Sequence, residues 1–322
     1  MKSISNGKIW VATIKKLITL ILLAIVSSAQ AQIELPPAWE SALYSDHALV
    51  GRIWDSELDE FIEPGELLNK MEGARYLLLG EKHDNPDHHS LQLALLEYFL
   101  RQELVSSVAF EMMDSDQALL LEQLQTRKIA GMDELKDSLQ WDEEGWEWPF
   151  YGPMLNLVHQ AGIPISAANI NDDTMMRVYS EPSSAEISAV LDPNAMSQLD
   201  KDIDESHCGL LPESQFPAMV RVQQARDYSM AQAMGQLVED QLVILIAGNY
   251  HIRHDLSVPN YLLSLQSGST RDQIISLAFM EVDPSEDGPE AYLQQFGELR
   301  AYDFIWFTPS ISNEDYCASL QQ

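Results

Sequence analysis

Three short stretches of this 322-residue chain concentrate side chains able to do chemistry. Glu81-Lys82-His83 is followed closely by His88 and His89, Glu111 ends an apolar run, and Tyr250-His251-Ile252-Arg253-His254 follows another. Five of the eight histidines fall in the first and last of these stretches. Imidazole and carboxylate together can bind a divalent metal that holds water as a nucleophile. They can also act as acid and base without a metal. Imidazole, or a phenolate such as that of Tyr250, can ligate haem iron. Glu81-x-His83 can aim both groups at one ligand, but two residues do not make a metal site. The spacing leaves all three chemistries open.

What precedes each stretch says how it is positioned. Arg75 to Leu79 is a short apolar run ending at Gly80, the pattern of a strand buried on both faces. Ser107 to Phe110 reads as a second strand ending at Glu111, and Ile163 to Ala167 as a third. Gln241 to Ala247 is the most strand-like run of all, and Gln273 to Phe279 and Tyr302 to Phe307 supply the last two. Asn85-Pro86 has the form of a helix N-cap followed by proline in the first turn, with Leu91, Leu95, Leu96 and Phe99 at helical spacing. Further helices are expected over Ser115 to Thr126 and Met154 to Gln160. Strands alternating with helices predict an α/β fold with a mainly parallel central sheet flanked by helices. In such sheets ligands bind beyond the carboxyl ends of the strands, and all three stretches lie there.

Between Asn171 and Gly235 the pattern changes to Met-, Gln- and acid-rich sequence at helical spacing, which predicts a helical insertion over about residues 171–236 covering the sheet. Trp141, Trp146, Trp148, Phe150 and Tyr151 form an aromatic cluster. It reads either as a packed corner of the core or as the apolar wall of a ligand pocket.

Charge narrows the partners. With 19 Lys+Arg against 50 Asp+Glu, the chain carries −31. Phosphate backbones need clustered cations, so nucleic acid is excluded, and an anionic membrane surface is disfavoured. The 46% hydrophobic content is too high for a disordered acidic chain. The first 31 residues place four lysines before an apolar run from Leu17 to Val26, and Ala29-Gln30-Ala31 offers a cleavage site. That is the layout of a secretory signal peptide cut after Ala31. Its removal leaves 15 basic against 50 acidic residues. No later segment is long and apolar enough to span a bilayer. Cys208 and Cys317 are an even count in an exported chain, so a disulfide between them is expected.

Five motifs, in order, resemble those of the ChaN-like haem-binding uptake proteins of the Tiki superfamily. They are Leu79-Gly80-Glu81-Lys82-His83-Asp84-Asn85 with His88, His89 and Gln92; Phe110-Glu111-Met112; Ala168-Asn169; His207-Cys208-Gly209-Leu210-Leu211-Pro212 with Gln223 and Arg226 to Ala231; and Gly248 to Asp255 with Val258-Pro259. The resemblance covers most of residues 32–322. It implies an envelope protein of iron acquisition, with haem held at a homodimer interface by tyrosine and histidine. His83, His89, Tyr250, His251 and Arg253 are then the candidate haem contacts, with Arg253 and Lys82 as local cations for propionates against a repulsive global field. The wider superfamily includes esterase- and protease-like enzymes, whose active-site positions match Glu81, His83, Glu111 and His251. A hydrolase is therefore the alternative, with a divalent metal at His83 and His251 as one form of it. A third reading is a scaffold whose motif residues only knit loops together. The chain departs from the family in lacking a lipobox cysteine, in Ser257 before Val-Pro, and in Tyr250, where a small residue is usual.

Overall fold

The computed structural model describes residues 33–235, 241–294, 297–314 and 317–318. The expected signal peptide lies outside them. The first strands, β1 (Ile53–Asp55) and β2 (Glu60–Ile62), precede α1 (Pro64–Met71), β3 (Tyr76–Glu81), α2 (Pro86–Arg101) and β4 (Val105–Asp114). Then come α3 (Ala118–Leu124), α4 (Met132–Leu139), α5 (Trp148–Gln160) and β5 (Ile165–Asn169). The helices α6 (Asp172–Ser180), α7 (Pro193–Ser206) and α8 (Phe216–Ala233) follow without an intervening strand. The chain closes with β6 (Leu242–Gly248), α9 (Val258–Leu265), β7 (Ile274–Glu281) and β8 (Phe304–Thr308).

All eight strands form one sheet in the order β2-β1-β8-β7-β3-β6-β4-β5. Every pairing from β8 to β5 is parallel, and the β1–β2 hairpin adds antiparallel edge strands. The α/β fold with a mainly parallel sheet is as the sequence predicts; the short edge hairpin is an addition, three residues per strand being too few to show alternation. Continuous apolar strands follow from burial on both faces. Leu77 and Leu79 of β3 face Leu91, Leu95 and Phe99 of α2 and Leu155 of α5. Tyr76 and Leu78 face the other layer, with Met230 of α8 and Leu262 of α9. Burying each such side chain contributes roughly 1.5–3 kcal/mol.

Strand order fixes where a site can form. From β3 the chain crosses over β6 to β4, whereas from β6 it crosses over β3 to β7. The connections leaving the carboxyl ends of β3 and β6 therefore diverge to opposite sides, which opens a crevice between them. In the register of that pair, Glu81 stands opposite Gly248. β3 runs two residues and β6 one residue past the expected ends, and β4 passes Glu111 to reach Asp114. Its pairing with β5 shifts register between Phe110 and Asp114. Such an irregularity re-aims side chains, and Glu111 lies within it.

The loop after β3 is wired by the motif residues themselves. Asn85 caps α2, its Oδ1 accepting from the amides of Asp87 at 2.9 Å and His88 at 3.4 Å, while its Nδ2 donates to Glu281 Oε1 at 2.8 Å. Asp87 accepts the amides of Glu40 and Ser41. Gln92 donates to the Leu79 carbonyl. His88 accepts the Lys82 amide at Nδ1, so its proton sits on Nε2, 2.8 Å from Thr308 Oγ1. Burial lowers the His88 pKa to about 3, which keeps the ring neutral.

Candidate functional site

Two carboxylate–imidazole pairs meet across Gly248. Glu81, 2% exposed, accepts Tyr151 Oη–H at 2.7 Å and His83 Nδ1–H at 2.9 Å on one oxygen. Its other oxygen lies 2.9 Å from His89 Nδ1 but out of hydrogen-bond alignment. His89 Nε2 donates to the His83 carbonyl at 3.0 Å, and its ring stacks on Phe150. Burial alone would raise the Glu81 pKa, but the two imidazoles outweigh it and hold the carboxylate ionised below its usual range. Burial would lower the pKa values of His83 and His89, but both rise, His89 through Glu81 and His83 through its bond to Glu81 together with the Glu111 charge.

The second pair is tighter. Glu111 accepts the Gly248 amide at 2.7 Å and lies 3.2 Å from His251 Nε2. His251 Nδ1–H donates to Asp227 Oδ1 at 2.6 Å. Gln223 Nε2 donates to the other Asp227 oxygen at 3.5 Å. Burial opposes charging His251, yet the flanking carboxylates push its pKa up to about 10; burial would raise Glu111, but the His251 charge beside it brings it down to about 2. Burial raises Asp227 to about 6. His251 is therefore an imidazolium clamped between Glu111 and Asp227.

Gly248 joins the pairs. A Cβ there would stand 3.0 Å from His83 Nε2 and 3.6 Å from Glu111 Oε2. The His83 ring thus leans on the β6 backbone, with Trp146 edge-on at 4.9 Å. His83 is the one imidazole of the cluster whose outer nitrogen, Nε2, has no hydrogen bond among the described residues, and its side chain is 43% exposed. The members of the aromatic cluster differ in burial. Trp141, Trp148 and Tyr151 are buried in the core, whereas Trp146 is partly exposed and walls His83.

The structure separates the remaining candidates. Tyr250 donates its phenol to Asp202 at 2.7 Å. Arg253 is 5% exposed and grips Asp255 with Nε at 2.9 Å and Nη2 at 2.7 Å. His254 belongs to another cavity, at the amino ends of β7 and β8, with Nε2 on Asp303 at 2.7 Å. Lys82 keeps an exposed ammonium paired with Asp84. Among the described residues no three His, Cys, Asp or Glu side chains are arranged to hold a metal ion. Cys208 and Cys317 are joined in a disulfide.

Asp227, Tyr151 and Gln223 complete the cluster without standing out as site residues in the sequence. A signal for Asp227 exists: Val220, Gln224, Asp227 and Ala231 recur at helical spacing and are all buried, so an acid sits on an inward stripe. Tyr151 carries none, being one aromatic among five.

The fold and the cluster define a class: an α/β protein with paired acids and imidazoles at the carboxyl ends of parallel strands. The chain belongs to the haem-binding uptake family ChaN of the Tiki superfamily, whose family model matches residues 67–262. Among solved structures it is similar to ChaN of Campylobacter jejuni, described by its cofacial haem binding, at TM-score 0.65 and 24% identity over 79% of this chain and 95% of that one. That similarity shows the fold. It is also similar to a mutant erythromycin esterase in its open conformation, at TM-score 0.41 and 14% identity over 71% and 76% of the two chains. A Bacillus cereus protein gives TM-score 0.43 and 11% identity over 76% and 90%. No curated protein matches the sequence. No helix among the described residues is long and apolar enough to cross a membrane.

Proposed function

We propose that this protein is an exported haem-binding protein of iron acquisition that works as a homodimer. The observation that carries this reading is the family match, which runs unbroken through the β3 loop, the helical insertion and the β6 loop. The sequence of the first 31 residues and the disulfide support export. Haem, when bound, supplies an iron centre that needs an axial donor from the protein and cations for its propionates. Titrating the purified protein with hemin is expected to give a saturable Soret shift and an increase in molar mass by sedimentation. A spectrum that matches free hemin at micromolar protein overturns the reading.

A second reading, hydrolysis, is favoured by the His83 geometry. Glu81 fixes the proton of His83 on Nδ1, which leaves Nε2 to take a proton from water. A screen of ester and peptide substrates tests this; equal turnover by wild type and Glu81→Ala ends it.

A further inference from the structure

At the opposite end of the sheet from the acid–imidazole cluster, the amino ends of β7 and β8 border a cavity of about 400 Å³, within the range of small-molecule pockets. Ile274 and Phe304, the first residues of those strands, are apolar parts of its wall, and Leu299 stands beside them, 43% exposed. Asp303 lines the cavity with half of its carboxylate in use. Its Oδ2 lies 2.7 Å from His254 Nε2 and accepts the Ser276 amide at 2.8 Å, whereas Oδ1 has no hydrogen bond among the described residues. Arg271 Nη1 sits 3.3 Å from His254 Nδ1. A guanidinium only donates, so Nδ1 accepts, Nε2 carries the one ring proton, and the imidazole is neutral. Asp303 is thus held in place by neutral donors, and no bonded cation cancels its charge. The cations of the wall differ in the same way. Lys70 is paired with Asp55 at 3.1 Å. Besides the His254 ring, Arg271 meets only neutral acceptors, the His254 carbonyl at 2.9 Å and Asn260 Oδ1 at 3.0 Å. Arg300 has neither a hydrogen bond nor an ion pair among the described residues, although Asp303 is three residues away and lines the same cavity.

We propose that this cavity binds a small zwitterion with an apolar side chain, a free amino acid or a dipeptide, with its carboxylate on Arg300 and its ammonium on Asp303 Oδ1. The charges in the wall select against simpler ligands. An anion would meet the carboxylates of Asp55, Glu57, Asp272 and Asp303 against three cations, inside a chain of net charge −31. A cation would meet Lys70, Arg271 and Arg300 and leave the last of them unanswered. A zwitterion is neutral as a whole, so the global field does not repel it. It answers a free guanidinium and a free carboxylate oxygen together, through charge-assisted bonds. In such pockets a few polar groups fix orientation while the apolar wall takes up the body of the ligand, here beside Ile274, Leu299 and Phe304. His254 then acts as a positioning residue, since its Nε2–H holds the Asp303 carboxylate. The site is separate from the one at the carboxyl ends of the strands, and it stands whether that site binds haem or hydrolyses a substrate.

The test is isothermal titration calorimetry of the purified protein with leucine and with leucyl-leucine, with far-UV circular dichroism as the check on folding. Saturable binding of at least one is expected; tighter binding of leucine marks a free amino acid as the ligand, and tighter binding of leucyl-leucine a dipeptide. N-acetyl-leucine lacks the ammonium and leucinamide lacks the carboxylate, and each is expected to bind about tenfold or more weakly than leucine. Arg300→Gln removes a side chain with no bond to the rest of the fold and is expected to weaken binding by a similar factor. Leu299→Trp fills the cavity from an exposed position, spares every charge in the wall, and is expected to abolish binding. Failure of both leucine and leucyl-leucine to bind at millimolar concentration overturns the proposal. So does binding of N-acetyl-leucine or leucinamide as tight as that of leucine, or wild-type affinity in either variant.

Discussion

His83 leans against Gly248 so closely that a single added methyl group would meet Nε2 and Cε1 of the ring at 3.0 Å. Gly248 has φ −62° and ψ 148°, a conformation open to any residue, so the need for glycine is one of space. Gly248→Ala should therefore keep the fold, displace His83, and destabilise by about 1–3 kcal/mol through crowding. Urea denaturation measures the loss, and NMR titration of His83 reads its changed distance from the Glu111 charge. An unchanged midpoint and an unchanged titration would refute it.

The His251 clamp makes stability depend on alkaline pH. The unfolded imidazole titrates near 6.5, whereas burial is outweighed in the fold by Glu111 and Asp227 and the folded pKa is about 10. A pKa raised on folding adds stability that is complete below about 6.5 and is lost as pH climbs toward 10. The thermal midpoint of wild type should then fall more steeply across that window than that of His251→Gln. Parallel profiles would show that the clamp does not carry the charge assigned to it.

Much of this architecture was legible in the sequence because burial on both faces writes itself as unbroken apolar runs, as in Leu77 to Leu79 and Leu242 to Ile246. The convergence of Glu81, His83, Glu111 and His251 was also legible, since strand ends in a parallel sheet share one edge. What the sequence could not express was commitment. His88 and His89 are adjacent and alike in type, yet one is sealed neutral beneath the loop and the other faces Glu81. Arg253 reads as a free cation until Asp255, two residues on, is seen to grip it. Nor does the register shift that places Glu111 leave a mark in the composition of β4.

Asn85 and His88 are expected to behave as structural residues despite lying inside the motif. Asn85→Ala removes a helix cap worth about 1 kcal/mol and takes its side-chain donor from the buried Pro309 carbonyl and from Glu281, which keeps the Ile311 amide. A total loss of about 2–4 kcal/mol follows from adding the cost of unsatisfied buried groups. Chemical denaturation should show it, while the His83 titration stays where it was. A shifted His83 titration without loss of stability would place Asn85 in the chemistry instead.

The disulfide links residues 109 apart in sequence, and closing a loop of that length lowers the entropy of the unfolded chain by an amount worth about 5 kcal/mol. Its ends are informative. Cys208 takes a positive φ of 59° immediately after α7, and Gly209 one of 66°, so the chain turns sharply where the bond anchors it. Reduction, or the paired change of Cys208→Ser and Cys317→Ser, should lower the denaturation midpoint substantially. Thiol labelling of the native protein without reductant gives the direct check: no cysteine is expected to react. If the paired serine variant kept the denaturation midpoint of wild type, the bond would not hold the fold.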